Sequence, residues 1–200
     1  MSKQKLVFAT GNEDKTREFR EILDPERYEV LSMKDAGVDI TIVENGKTFE
    51  ENAMIKARAV AAHVQNVVVV ADDSGLVVDA LDGEPGIYSS RYLGEDTPYE
   101  KKNRIILERL EGIPKERRTA RFVCAMAAVF PDGRELAVTG VMEGYIGFEA
   151  VGERGFGYDP IFFVEQYGTS TADITPEQKN EISHRGKALR EIRDRLEEYV

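Results

Sequence analysis

The chain has 200 residues, 42% of them hydrophobic and 32% charged, with a formal net charge of −10. That length gives one domain, or two small lobes sharing a core. The acidity excludes non-specific binding to nucleic acid, which depends on phosphate neutralisation, and no apolar run approaches the ~20 residues that span a bilayer. From the start of the chain, KLVFAT (5–10) reads as a strand and EDKTREFREIL (13–23) as a helix with Phe19, Ile22 and Leu23 on one face. YEVLSM (28–33) is a second strand. Thr48-Phe-Glu-Glu51 forms a capping box before the helical run ENAMIKARAVAAHV.

The next segment, VVVVADDSGLVVDALDG (67–83), raises a question. Val67–Val70 has the character of a central strand buried on both faces, yet Asp72 and Asp73 follow at once. Successive strand residues point to opposite faces. The two acids therefore meet one ligand only if the chain turns, and Ser74-Gly75 is expected to supply that turn. The alternative is a surface hairpin whose Asp and Ser cap their own backbone. A carboxylate at the carboxyl end of such a strand can hold Mg²⁺ or activate water.

Further along, Thr97-Pro-Tyr-Glu100 and Thr175-Pro-Glu-Gln178 read as capping boxes with proline at the first helical position. RFVCAMAAVF (121–130), the turn Pro131-Asp132-Gly133 and ELAVTGVMEGYIG read as a long hairpin. The last helix, roughly 184–198, has Ala188, Leu189, Ile192 and Leu196 on one stripe. Alternating strands and helices followed by antiparallel strands give the fold class: α/β with a mixed sheet, elongated and two-lobed, with a central cleft.

The single cysteine, Cys124, lies in an apolar run and reads as a buried, inert thiol. It excludes an internal disulfide and suits a reducing cytoplasm. The opening MSKQKLVFATG lacks the apolar core of a signal peptide, which points the same way. Two histidines, His63 and His184, give no His/Cys zinc set. A catalytic metal would be hard and oxygen-ligated, Mg²⁺ first and Mn²⁺ as its substitute.

Four further segments could carry chemistry. In ATGNEDKTREF, a strand, a glycine turn and a helix start form an anion site from unpaired N–H groups, with Lys15 adding a cation. The plain alternative has Asn12 as a cap and Lys15 in solvent. Glu44, before a capped helix, is either a second metal ligand or a solvated loop residue. Lys56 sits beside apolar neighbours, where lysine ordinarily snorkels to water. GERGFGYDPIFF (152–163) is either an aromatic collar that stacks on a flat base or a turn whose aromatics plug the core. Lys179, His184 and Arg185 form a donor-rich cluster able to read a ring edge.

Taken together, ATGNEDKTREF, TFEENAMIKA, ADDSGLVVDALDGEPGIYSSRY, GFGYDPIFF and ISHRGKAL resemble the inosine triphosphate pyrophosphatase family, whose bacterial branch comprises the XTP/dITP diphosphatases. The matching segments run in order from residue 9 to residue 189. The resemblance implies a single nucleoside triphosphate pyrophosphatase domain over 1–200, with two lobes and one cleft, acting as a cytoplasmic homodimer. The implied reaction is Mg²⁺-dependent hydrolysis of ITP, dITP and XTP to the monophosphate and pyrophosphate. By the same resemblance Thr10, Gly11, Asn12, Glu13, Asp14 and Lys15 are the phosphate loop. Glu44 and Asp73 are metal ligands, with Asp72 as a supporting or alternative ligand, and Asp73 is also the proton acceptor. Lys56 and Ser74 contact substrate, Phe156, Gly157, Tyr158 and Asp159 form the base collar, and Lys179, His184 and Arg185 complete the nucleotide contacts. Nucleic acid and membrane are not expected as partners. A Maf-type pyrophosphatase, a binding module without turnover and a haloacid-dehalogenase phosphatase are the competing readings. The last lacks its Asp-x-Asp pattern in ADDSG.

Overall fold

The computed structural model describes residues 3–198. Its strands and helices, in chain order, are β1 (Gln4–Phe8), α1 (Glu13–Ile22), β2 (Tyr28–Ser32), α2 (Phe49–Ala61), β3 (Val68–Val78), α3 (Tyr99–Arg109), β4 (Thr119–Val129), β5 (Glu135–Ile146), β6 (Phe162–Val164), β7 (Thr169–Ser170), α4 (Pro176–Ile182) and α5 (His184–Glu198). The strand order is β2-β1-β3-β4-β5-β6-β7. Strand β1 pairs in parallel with β2 and β3, whereas β6 pairs antiparallel with β5 and β7, so the sheet is mixed as expected. No helix among the described residues is long and apolar enough to cross a membrane.

The chain divides into two compact units. The first comprises Met1–Asp73, Cys124–Gly140 and Arg185–Val200. Its central strands β1, β3 and β4 are buried on both faces over most of their length there, which explains their near-continuous apolar runs. Leu6, Phe8, Val68, Val70, Cys124, Met126 and Ala128 share one core with α1 and with Ala188, Leu189, Ile192 and Leu196 of α5. The alternate residues Val7, Ala9, Val69, Ala71, Ala125 and Ala127 share another with Ala53, Ala57 and Val60 of α2. Small residues on that second face let α2 lie close to the strands. The second unit, Ser74–Val123 and Val141–His184, packs Ile106 of α3 and Leu110, just past its end, with Leu76, Val78, Phe122, Met142, Ile146 and Phe162.

Three local expectations change. No turn occurs at Ser74-Gly75: β3 continues unbroken to Val78, because Leu76 and Val78 enter the second unit's core and draw the strand onward. The Thr97 capping box does not form. The Thr97 hydroxyl instead donates to the Leu93 carbonyl at 2.6 Å, and α3 begins at Tyr99 with no side-chain cap. At α2 the box is half made: Thr48 accepts from the Glu51 amide, while the Glu51 carboxylate reaches the amide of Lys47 rather than that of Thr48. The Thr175 box before α4 is complete, with Pro176 at the first helical position.

Candidate active site

Unbroken β3 decides how the two acids are used. Asp72 continues the face of Val68 and Val70, and Asp73 the face of Val69 and Ala71. The two carboxylates therefore have different direct ion-pair and hydrogen-bond partners.

Asp72 is 1% exposed. Its Oδ2 lies 2.9 Å from Lys15 Nζ and 3.7 Å from Arg185 Nε. Arg185, itself buried, is also ion-paired with Glu18 of α1. Burial works against charge on Asp72, but Lys15, Arg185 and Lys56 outweigh it and hold the carboxyl well below the usual range. Lys15 is thus not solvated. The backbone N–H groups of Asp14 and Lys15 are taken by Asn12 Oδ1 at 3.0 and 3.2 Å, and Asn12 N–H by Thr10 Oγ1. Asn12 is the cap, and any anion affinity of this turn rests on Lys15 and the helix dipole more than on open donors. Gly11, Asn12 and Glu13 are exposed, and Asp14 pairs with Arg17.

On the opposite face, Asn52 Nδ2 donates to Asp73 Oδ2 at 3.2 Å, and Lys56 Nζ lies 3.6 Å from Asp73 Oδ1. The same ammonium is 3.1 Å from Glu44 Oε2. Lys56 does not snorkel, its side chain being 13% exposed; burial lowers its pKa, but Asp72, Asp73 and Glu44 outweigh that effect and raise it. The loop bearing Glu44 is pinned to α2, since Gly46 N–H donates to Asn52 Oδ1 at 2.9 Å. Asp73 is pushed up to about 6, by burial first and by the neighbouring charges of Glu44 and Asp72, with Lys56 and Asn52 opposing. A carboxylate so placed is poised for proton transfer near neutrality.

No three acid, imidazole or thiol groups converge as a ready metal cage among the described residues. Mg²⁺, however, is ordinarily held by one or two carboxylates plus substrate phosphates and waters. Glu44 and Asp73 flank a common cation, Lys56, so their oxygens fit such a pair. Asp72 is turned to Lys15 and Arg185, which suits the supporting role rather than that of a ligand.

The second unit holds the other predicted residues. Asp159 is 3% exposed and accepts from Lys179 Nζ at 2.6 Å, Phe156 N–H at 2.8 Å and Thr171 Oγ1 at 2.9 Å. A side chain at Gly155 would strike the Asp159 carboxylate, so glycine is required there. Lys179 Nζ lies 4.9 Å from the centre of the half-buried Phe156 ring. Tyr158 is not a presented ring. It packs edge-on against Tyr99, and its hydroxyl donates to the Ser89 carbonyl at 2.6 Å, because the core takes the ring and a carbonyl takes its polar end. Gly157 accepts through its carbonyl from Asn103 Nδ2 at 3.0 Å. His184 is buried and stacks on Phe122 with ring centres 4.9 Å apart. Ser74 lies in β3 directly after Asp73.

Of the three predicted donors, Lys179 serves Asp159, His184 packs on Phe122, and Arg185 is engaged by Glu18 and Asp72. Asn52, Glu18 and Asn103 escaped the sequence reading. Asn52 was within reach of it, since it stands four residues before Lys56 and so shares its helix face.

The model of the Ham1 family matches residues 6–195. A protein of Bacillus subtilis named dITP/XTP pyrophosphatase is 48% identical over 194 residues, 97% of this chain and 98% of that protein. One of the same name from Geobacter sulfurreducens is 47% identical over 192 residues, 96% of each. The solved structure of the Staphylococcus aureus Ham1 protein superposes with a TM-score of 0.89 at 39% identity, covering 98% of this chain and 100% of that one. A HAM1 protein from Coxiella burnetii gives 0.87 at 38% identity, covering 98% and 99%.

Proposed function

The chain belongs to the Ham1 family, and we propose on that basis that it is a nucleoside triphosphate pyrophosphatase. It hydrolyses dITP, ITP and XTP to the nucleoside monophosphate and pyrophosphate. The observation that carries the chemistry is Asp73, a carboxyl pushed up to about 6 and oriented by Asn52 beside Lys56 and Glu44. The near-full-length similarity to proteins named dITP/XTP pyrophosphatase supports the substrate class.

Asp73 accepts a proton from the attacking water as general base. Lys56 and Lys15 face the phosphates and offset the charge spread over their oxygens as the α–β bond breaks. Asp72 holds Lys15 in place through their ion pair. Mg²⁺, held by Glu44 and Asp73, would polarise the phosphate oxygens when bound. Homodimer formation and a cytoplasmic location belong to the same reading.

Selection acts at the base. Phe156 stacks on the purine, a contact blind to exocyclic groups. Hypoxanthine and xanthine present a 6-oxo acceptor where adenine has a donor. Donors of the 156–159 loop and of His184 match the oxo group and leave ATP mismatched. Arg185 is assigned a different task, holding Asp72. The test is a turnover panel of ITP, XTP, dITP, GTP, ATP and dTTP with and without Mg²⁺, reading pyrophosphate and phosphate separately. Mg²⁺-dependent pyrophosphate release favouring the 6-oxo purines other than GTP supports the proposal. Release of single phosphates, or preference for dTTP or ATP, overturns it.

A further inference from the structure

Helix α3 carries an amide in a place where a hydrophobic residue would suit the surroundings. Asn103 is 5% exposed and stands one turn before the fully buried Ile106. Asparagine is a poor helix former because its side chain competes for backbone hydrogen bonds, and a buried amide costs free energy unless both its ends are matched. One end is matched: Nδ2 donates to the Gly157 carbonyl at 3.0 Å. The other, Oδ1, is buried without a hydrogen-bond partner among the described residues. Stability of the helix therefore does not account for asparagine at this position, and its bond to Gly157 does.

Gly157 joins Phe156 to Tyr158 with φ at +68°, a region glycine enters freely, so its peptide turns easily unless held. Its neighbours are already fixed, Phe156 through its N–H to Asp159 and Tyr158 through its hydroxyl to Ser89. Asn103 fixes the peptide between them, while Tyr99, one turn earlier on α3, lies against the same glycine. We propose that Asn103 is a positioning residue for purine binding: by holding the Gly157 carbonyl it sets the orientation in which Phe156 meets the base. The inference rests on the reading of this loop as the base collar.

The test uses Asn103→Leu and Asn103→Asp, both close in size and both without the donor, in the full-length chain. Steady-state kinetics with ITP are measured beside inhibition by inorganic tripolyphosphate, which has no base, and amide exchange is followed along the chain. Loss of one buried hydrogen bond should raise KM for ITP about tenfold, leave kcat within about twofold, and leave tripolyphosphate inhibition unchanged. Amides at 155–158 should exchange faster while those of α2 keep their rates. An unchanged KM, a fall in kcat alone, or an equal loss of tripolyphosphate affinity overturns the proposal. If both variants fail to fold, Asn103→Ser, small and polar, takes their place in the same measurements. A wild-type chain that does not hydrolyse ITP counts against the function itself, and the exchange rates then judge by themselves whether Asn103 holds the loop.

Discussion

Asp72 and Asp73 are adjacent in sequence and oppositely directed in space, the first 2.9 Å from Lys15 and the second bonded to Asn52 at 3.2 Å. The same substitution should therefore do different things at the two positions. Asp73→Asn removes the proposed proton acceptor and should lower kcat by ~10²–10⁴-fold while the protein stays folded. Asp72→Asn leaves Lys15 and Arg185 short of a buried counter-charge. It should lower stability by about 3–5 kcal/mol, seen as a fall in the urea midpoint. If Asp72→Asn proves as stable as wild type, the supporting role assigned to it is wrong.

The pH dependence of Asp73 follows from its carboxyl being raised from 3.8 to about 6. The folded chain binds that proton more tightly than the unfolded chain, so this group favours folding below about pH 4 and loses that effect as pH rises through about 6. An amide at 73 resembles the neutral acid at every pH. Metal-free Asp73→Asn should thus be more stable than wild type near pH 8, by up to about 3 kcal/mol. The gap should close as the pH falls toward about 4. Denaturant titrations in EDTA at several pH values would show it, and a gap constant with pH would count against a raised carboxyl.

Lys56 pairs with both Glu44 and Asp73, the two acids proposed to hold a divalent ion. Lys56→Met should leave the two carboxylates facing each other and tighten Mn²⁺ binding to the substrate-free protein by about tenfold, by calorimetry. The same variant should raise KM for the triphosphate if Lys56 is the phosphate partner proposed above. Weaker Mn²⁺ binding in this variant would argue that the two acids do not share an ion.

Asn52 and Gly46 make one contact, and a side chain at 46 would come within 2.7 Å of Asn52 Oδ1. Gly46→Ala and Asn52→Ala should each reduce turnover by displacing the Glu44 loop. Their effects should not add, with a coupling energy of about 0.5–3 kcal/mol in the double-mutant cycle. Additive losses would mean that the loop and the amide act independently.

The sequence carried the layers of this fold plainly, because a strand buried on both faces and an amphipathic last helix leave unmistakable patterns. Leu189, Ile192 and Leu196 of α5 are all fully buried, as their spacing implies. What was hidden was the continuation of β3. Ser74-Gly75 has the composition of a turn, and only the core awaiting Leu76 and Val78 shows that the chain goes straight on. The site residues were legible by type but not by partner. Nothing local in the sequence says that Arg185 will find Glu18, 167 positions away, rather than a ring edge. Tyr158 likewise looks like a displayed aromatic until its hydroxyl meets the Ser89 carbonyl.

The pairing of β3 with β1 has a consequence for how this gene can change. Leu6, Val7 and Phe8 are matched with Val68, Val69 and Val70. Because strand faces alternate, a shift of one place would send Asp73 toward Lys15 and Arg185 and turn Asp72 toward α2. A one-codon insertion or deletion between Val68 and Asp72 would therefore exchange the proposed general base for its structural neighbour, with both acids still present and the composition hardly altered. The valines spell out a frame as well as a core, and point substitutions among them should be tolerated far better than any change in their number.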